Sequence, residues 1–340
     1  MVAMNAIVTG AAGFIGSHLV EELLKLNFNV LGIDNLSVGR LENLEFIDSN
    51  SFRFLEADVS SIQAADIPMK MNDVTYIFHL AALADIVPSV VQPATYFRSN
   101  VQGTLNMLEI ARGTELKKFL YAASSSCYGI PINYPTPESA RISPQYPYAL
   151  TKYLGEELTL HWGKVYQVPV ISLRLFNVFG PRARTSGSYG AVFGVFLAQK
   201  VAKKPFTVVG DGSQTRDFTF VTDVVGAFLS AAQCELKQEI FNVGSGGTYA
   251  INHLVELLGG DIEYIPMRPG EPDCTFADIS KIRQLLAWEP KISFEIGVQK
   301  MLSEIESWAK APVWTSENIS KETESWFRYL GQVDKGKNAK

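Results

Sequence analysis

The stretch Gly10-Ala-Ala-Gly13-Phe-Ile-Gly16 constrains the fold more than any other. It follows a short apolar run, Asn5-Ala-Ile-Val-Thr9, and opens a helix-length segment from Gly16 to Leu26. Glycine at 10 permits a tight turn, glycine at 13 lets the backbone approach a pyrophosphate, and glycine at 16 lets helix and strand pack closely. The helix N-terminus adds free N–H groups and partial positive charge. Asp34 ends the next strand, Val30–Asp34, 18 residues after Gly16. A carboxylate there accepts both ribose hydroxyls and repels a 2′-phosphate, so NAD is favoured over NADP. Arg40 is either a phosphate contact or a solvated loop arginine. Asp58 is placed either to meet the adenine or to cap a turn.

Strand-like and helix-like segments alternate through the first half. Strands are expected at Phe52–Glu56, Tyr76–Leu80, Lys118–Ala122 and Val170–Leu175, and helices at Thr95–Arg112 and Ala149–Val165. This rhythm predicts an α/β fold, a doubly wound parallel sheet of Rossmann type with helices on both faces. After Phe176 glycine and proline punctuate more often, and a smaller C-terminal α/β region is expected. The expected division is 1–176 plus about 217–245 for the dinucleotide, and 177–216 plus 246–330 for a substrate. Trp314 to Leu330 reads as a separate amphipathic segment, with Trp314, Ile319, Trp326, Phe327 and Leu330 near one side. Residues 331–340 read as a frayed tail.

The composition supports a packed core: 47% of the 340 residues are apolar and 19% charged. The net charge of −5 gives no reason to expect nucleic acid or an anionic membrane as partner. The longest apolar run, Ala191 to Ala198, is far short of the ~20 residues of a bilayer crossing. No secretory leader is evident at the N-terminus. Cys127, Cys234 and Cys274 are scattered, which suggests reduced thiols in a cytoplasmic protein. The four histidines have no metal-ligand spacing.

Tyr148-Ala-Leu-Thr-Lys152 opens a helix, and the i to i+4 spacing puts phenol and ammonium on one face. A nearby cation stabilises phenolate, giving a base that works near neutral pH. Ser124-Ser-Ser126 follows an apolar strand whose end faces the ligand crevice of an open α/β sheet.

With these motifs in view, the chain resembles an extended short-chain dehydrogenase/reductase of the nucleotide-sugar epimerase/dehydratase group. It is most similar to UDP-glucose and UDP-N-acetylglucosamine 4-epimerases. The matching pieces are TGAAGFIGSHL at 9–19, DNLS at 34–37, HLAA at 79–82, NVQGT at 100–104, ASSSCYG at 123–129, YALTK at 148–152, LFNVFGPR at 175–182, TRDF at 215–218 and RPGEP at 268–272. The resemblance implies a permanently held NAD and a nucleotide-sugar substrate. It implies Tyr148 as catalytic base, Lys152 as its tuner and ribose anchor, and Ser124 as hydrogen-bond partner of the reacting sugar oxygen. Cofactor contacts are implied at Gly10, Gly13, Phe14, Ile15, Gly16, Asp34, Asn35, Ser37, Asp58, Val59, Leu80, Ala81, Ala82 and Asn100, besides Tyr148 and Lys152. Substrate contacts are implied at Ser124, Ser125, Ser126, Asn177, Ala191, Val192, Arg216, Arg268, Glu271 and Thr275. A guanidinium suits a diphosphate, although Arg216 has Asp217 and Asp223 near it in sequence as alternative partners. The resemblance also suggests a homodimer built on helices 95–112 and 149–165, whose apolar faces equally suit a core.

Within this group the 4,6-dehydratases carry Asp-Glu after the catalytic serine or threonine, and the decarboxylases keep a Glu at the second position. Here those positions are Ser125 and Ser126. What remains is oxidation at C4 and return of the hydride, a 4-epimerisation. Another 4-keto-type reaction on a nucleotide sugar, or a non-catalytic NAD-binding regulator, is the alternative. Thr275 stands where family members restricted to plain hexoses have a bulky tyrosine, so N-acetylated hexosamines are expected as substrates. The loop Ser188-Tyr-Gly-Ala-Val192 resembles that of UDP-N-acetylglucosamine 4-epimerases.

Overall fold

The structure, a computed structural model, describes residues 4–183 and 190–337. Ser188 and Tyr189 of the loop noted above lie outside the described residues, as do 338–340.

Six strands lead the sheet: β1 (Asn5–Thr9), β2 (Asn29–Asp34), β3 (Phe52–Glu56), β4 (Val74–His79), β5 (Lys118–Ser124) and β6 (Val170–Leu175). The short strands β7 (Val178–Phe179), β8 (Phe206–Val209), β9 (Thr215–Arg216) and β10 (Thr219–Phe220) come next, then β11 (Glu239–Val243). β12 (Tyr249–Ala250) and β13 (Ile262–Ile265) follow. The central sheet is entirely parallel, in the order β11-β6-β5-β4-β1-β2-β3. This is the doubly wound arrangement expected from the βα rhythm, with the strand order reversing beside β1. The short strands pair locally, β7 with β10, β9 with β12 and β8 with β13.

The strand period of two explains the layers. Ala6 and Val8 of β1 point into a core with α1 (Phe14–Lys25), while Ile7 points to the opposite face. That second face is covered by residues of the helical run that follows α2 (Ile86–Val91). The run consists of α3 (Pro93–Tyr96), a π-helical stretch Phe97–Gln102 and α4 (Gly103–Ala111). A single regular helix was expected over 95–112; the π stretch interrupts it. α5 (Pro147–Tyr166) lies beside α4 and against β5 and β6. Pro147 suits the first position of α5, where its missing N–H is not needed.

The C-terminal helices are α6 (Val192–Val201), α7 (Val221–Gln233), α8 (Ile251–Leu258), α9 (Ser280–Leu286), α10 (Phe294–Ser303), α11 (Ser316–Glu322) and α12 (Glu324–Lys337). A second core of Phe193, Phe196, Phe218, Phe220, Phe294 and Trp308 binds them together, α7 and α9 packing against the main sheet. The amphipathic segment read as 314–330 is two helices, α11 and α12. Ile319 and Trp326 are buried, whereas Phe327 is 38% exposed and is not part of the apolar side. Helix α12 runs on to Lys337, through most of the stretch read as frayed, and the buried Trp326 sits in its first turn. Among the described residues no helix is long and apolar enough to cross a membrane.

One buried ion pair ties α5 to the sheet. Arg174 of β6 donates from Nη2 (2.6 Å) and Nε (3.1 Å) to Oε1 of Glu156 on α5, and both side chains are almost fully covered. Ser172 donates to the other carboxylate oxygen at 2.7 Å. Glu156→Gln, which leaves Arg174 buried without its counter-charge, is expected to cost about 3–5 kcal/mol. Replacing both partners by Leu and Met should cost less than the single change. Urea-unfolding midpoints of the three proteins check this, and a double variant less stable than Glu156→Gln contradicts it.

Candidate active site

A cavity of about 650 Å³ runs along the carboxyl ends of the sheet strands into the C-terminal region. Its first end is the turn between β1 and α1. Gly10 has φ +71°, and a Cβ there would lie 2.8 Å from the Ala81 nitrogen. At Gly16 a Cβ would lie 2.0 Å from the Gly10 carbonyl oxygen, so the turn closes only on glycine. Gly13, Phe14 and Ile15 line the same end. Asp34 Oδ2 accepts from the Ala12 N–H (3.0 Å) and Oδ1 from the Leu36 N–H (2.9 Å). Burial pushes its pKa up, against the pull of these bonds. Asn35, Ser37, Asp58, Val59, Leu80, Ala81 and Ala82 complete this wall. Asp58 also accepts from the Ser60 N–H at 2.8 Å, so it lines the cavity and caps a turn at once. Arg40 is absent from the lining, and its Nη2 donates to Asn43 at 3.4 Å.

Asn100 departs from the expectation: it does not line the cavity. Its side-chain oxygen accepts from the Leu83 N–H (2.8 Å) and its amide donates to the Leu83 carbonyl (2.9 Å) and the Thr151 hydroxyl (3.0 Å). Its hydrogen-bonding capacity is thus directed at the protein, and it braces the 80–85 loop from behind. His79 and Thr9 act similarly. The His79 ring spans the hydroxyls of Thr9 (2.8 Å) and Thr104 (3.0 Å), with its pKa lowered to about 3 by burial. The neutral ring leaves Thr9 Oγ1 to accept from the Leu80 and Ala81 N–H groups.

The middle of the cavity holds Ser124, Ser125, Ser126, Tyr148 and Lys152. Ser124 ends β5, and its Oγ lies 2.9 Å from Ser126 Oγ. Tyr148 is raised in pKa by burial and, further, by the Asp85 carboxylate; a hydrogen bond with Ser124 works the other way. Lys152 is lowered to about 7 by burial, with Glu156 opposing. Its Nζ sits 4.5 Å from the Tyr121 ring centroid. Asp85 is a cavity-lining acid outside the motifs, and nothing in its sequence position marked it.

The far end is lined by Asn177, Ala191, Val192, Arg216, Arg268, Glu271 and Thr275. Arg216 is not in an ion pair with its neighbours. Asp217 accepts from the Ser245 and Ala277 N–H groups, and Asp223 from those of Lys291 and Ile292. Arg216 Nη1 donates instead to the Thr215 carbonyl at 2.9 Å. Arg268 lies 3.4 Å from Glu271. Thr275 Oγ1 donates to Asn177 Oδ1 (2.7 Å) and accepts from the Asp217 N–H (3.0 Å). Its proton is therefore committed to Asn177, and it meets a ligand as an acceptor. The lining also includes Tyr146, Trp314 and Trp326, which the motifs do not mark. The apolar pattern of 314–330 was the one available signal for the two tryptophans.

A glycine turn, an acid on the next strand and a serine–tyrosine–lysine set thus share one cleft. The model of the NAD dependent epimerase/dehydratase family matches residues 6–244. The chain belongs to that family. The UDP-glucose 4-epimerase of Mycolicibacterium smegmatis is 35% identical over 305 residues, 87% of this chain and 97% of that protein. Among solved structures, the UDP-N-acetylglucosamine 4-epimerase from Methanobrevibacter ruminantium M1, in complex with UDP-N-acetylmuramic acid, is 32% identical with a TM-score of 0.83. That match covers 89% of this chain and 100% of the other. The UDP-glucuronic acid 4-epimerase from Bacillus cereus, in complex with UDP-glucuronic acid and NAD, is 32% identical with a TM-score of 0.80, covering 89% and 99%.

The first end of the cavity fits a dinucleotide: small residues leave the α1 N-terminus open, and Asp34 retains lone pairs beyond its two backbone bonds. NAD is therefore expected to accompany the purified protein in near-stoichiometric amount. Acid extraction followed by chromatography measures it. NADP in the extract would reverse the reading of Asp34.

Proposed function

We propose that this chain is a UDP-hexose 4-epimerase that also accepts N-acetylated UDP-hexosamines, using tightly held NAD. The supporting observation is the single cavity joining the glycine turn, the Ser124/Tyr148/Lys152 set and the Arg216/Arg268 end. Serine, not acid, at 125 and 126 argues against 4,6-elimination.

The division of labour follows from the residues. Gly10 to Gly16 and Asp34 would hold the pyrophosphate and adenosine ribose of NAD, and Lys152 the nicotinamide ribose. Bound NAD supplies the acceptor and later the donor of hydride at the sugar C4. Tyr148 takes the proton from the 4-hydroxyl and returns it at the end. Ser124 has a single hydroxyl proton: given to the phenolate it offsets the rise that burial imposes on Tyr148, and given to the sugar oxygen it holds the reacting hydroxyl in place. Arg216 and Arg268 keep the diphosphate in place while the 4-keto sugar turns over between hydride transfers. Thr275 in place of a bulky aromatic leaves volume for an acetamido group, whose N–H finds an acceptor in the Thr275 hydroxyl.

Tyr148→Phe and Ser124→Ala are each expected to lose at least ~10²-fold in kcat while retaining affinity for UDP. Lys152→Met should move the rising limb of the pH–rate profile to higher pH where that limb lies below about 7, the range in which Lys152 carries its charge. Thr275→Tyr should lower kcat/KM for UDP-N-acetylglucosamine selectively. Thr275→Val, which leaves the volume and removes the hydroxyl, should lower it less. Proton NMR of UDP-glucose, UDP-N-acetylglucosamine and UDP-glucuronate conversion reads all of these. Turnover confined to the uronate would overturn the sugar assignment.

The proposal includes a cytoplasmic homodimer. Support for the dimer comes from the helical run 93–111 and α5, which lie side by side and expose Phe97 (51%) and Leu150 (44%). Support for the compartment comes from three free cysteines. Analytical ultracentrifugation at micromolar concentration should report twice the chain mass. A chain that stays single under those conditions removes the dimer.

A further inference from the structure

The loop that carries Arg268 has no regular secondary structure between β13 and residue 273, and it turns at Gly270, φ +75°. A side chain presented on such a loop holds its place only if other parts of the molecule grip the backbone. Helix α12 supplies such a grip. Trp326, in its first turn, is 2% exposed, and its Nε1–H donates to the Pro269 carbonyl at 2.7 Å. The Arg268 guanidinium lies over the same indole, 5.7 Å from the ring centroid. On another side Trp326 meets the Tyr146 ring at 6.3 Å, and that ring lies nearly parallel to Tyr148, 6.4 Å further on. Part of the indole also lines the cavity. One side chain therefore touches the loop of the diphosphate-binding arginine and the aromatic neighbour of the reacting phenol.

We propose that Trp326 is a positioning residue for the sugar nucleotide, making α12 a third wall of the substrate end of the cavity. An indole N–H donates and cannot accept, so when buried it fixes whichever acceptor it meets. Here that acceptor is the backbone atom one residue from Arg268. The indole face adds a cation–π contact to the guanidinium. Trp326 thereby sets where Arg268 stands before the ligand arrives. It acts on binding, through Arg268, and leaves the proton and hydride steps to other residues.

This inference rests on the nucleotide-sugar reading above, and the experiment separates the two. Trp326→Phe keeps a buried ring and removes the N–H; Trp326→Leu removes both the N–H and the aromatic face. UDP binding is measured by calorimetry, steady-state kinetics with the turned-over UDP-sugar, and NAD content and melting temperature on the same preparations. Trp326→Phe should raise KM and the Kd for UDP about fivefold, the scale of one neutral hydrogen bond. Trp326→Leu should raise both further. In both variants kcat should stay within about twofold and NAD content unchanged. Unchanged KM and Kd in Trp326→Phe, or a fall in kcat and melting temperature without a change in KM, would show a plain core residue and overturn the proposal. Failure of Trp326→Leu to fold leaves the Phe variant to decide. An unmodified protein that neither binds UDP nor turns over any UDP-sugar would remove the nucleotide-sugar reading itself, and this inference with it.

Discussion

The buried pair of Arg174 and Glu156 is the interaction on which the reacting residues depend. It joins a strand in the middle of the molecule to the one helix that carries Tyr148 and Lys152. Ion pairs this deep are poor sources of net stability, because both charges lose their water. Their value lies in intolerance: with four hydrogen bonds converging on one carboxylate, α5 cannot rotate or slide without exposing an unpaired charge. The two residues that must be placed to within fractions of an ångström lie one and two turns upstream of that clamp. The pair also shapes the electrostatics. Glu156 is the negative group one turn from Lys152, but its charge is shared with Arg174, and burial prevails in bringing Lys152 down to about 7.

Much of the architecture was legible because local pattern and tertiary role agree. The inner strands of the parallel sheet are buried on both faces and read as largely apolar runs, while the edge strand β3 (FRFLE) is only partly covered. The glycine turn is legible because steric closure admits no other residue at 10 or 16. Legibility fails wherever a residue's job is decided by a partner far away in sequence. Asn100 sits in a family motif, yet its amide serves Leu83 and Thr151. Asp85 enters the cavity from a loop with no signature. Thr275 was read as a gate by its size, and the structure adds that its hydroxyl proton is held by Asn177, 98 residues away. Trp326 lies outside every motif, and only the fold brings it to Pro269.

The cavity also explains why cofactor and substrate ends are read so differently. The dinucleotide end is built from consecutive short segments at strand ends, so each contact comes with a local rule. The substrate end is assembled from β9, the 266–272 loop, the turn before α6 and the C-terminal helices. Short motifs there mark Arg216 and Arg268, but the tryptophans and the pairing of Thr275 with Asn177 carry no local sign. Specificity in such an end is set by side chains that correct one another, such as Asn177 with Thr275 or Arg268 with Trp326. Changes at one member are therefore felt at its partner, and single-residue comparisons with relatives carry less weight there than at the glycine turn.

The π-helical stretch at 97–102 ties the phase of one helix to the loop it braces. A π turn is in effect one residue more than an α-helix needs, and each residue advances the helix phase by about 100°. Asn100 lies inside that stretch, and its orientation toward Leu83 is set by the irregular winding. Removal of one residue would give a smoother helix with better backbone hydrogen bonds. It would also swing every position on one side of the deletion a quarter turn or more, taking the loop brace out of register. The irregular winding and the Asn100 brace are thus one feature: a deletion that regularises the helix also removes the hold on Leu83.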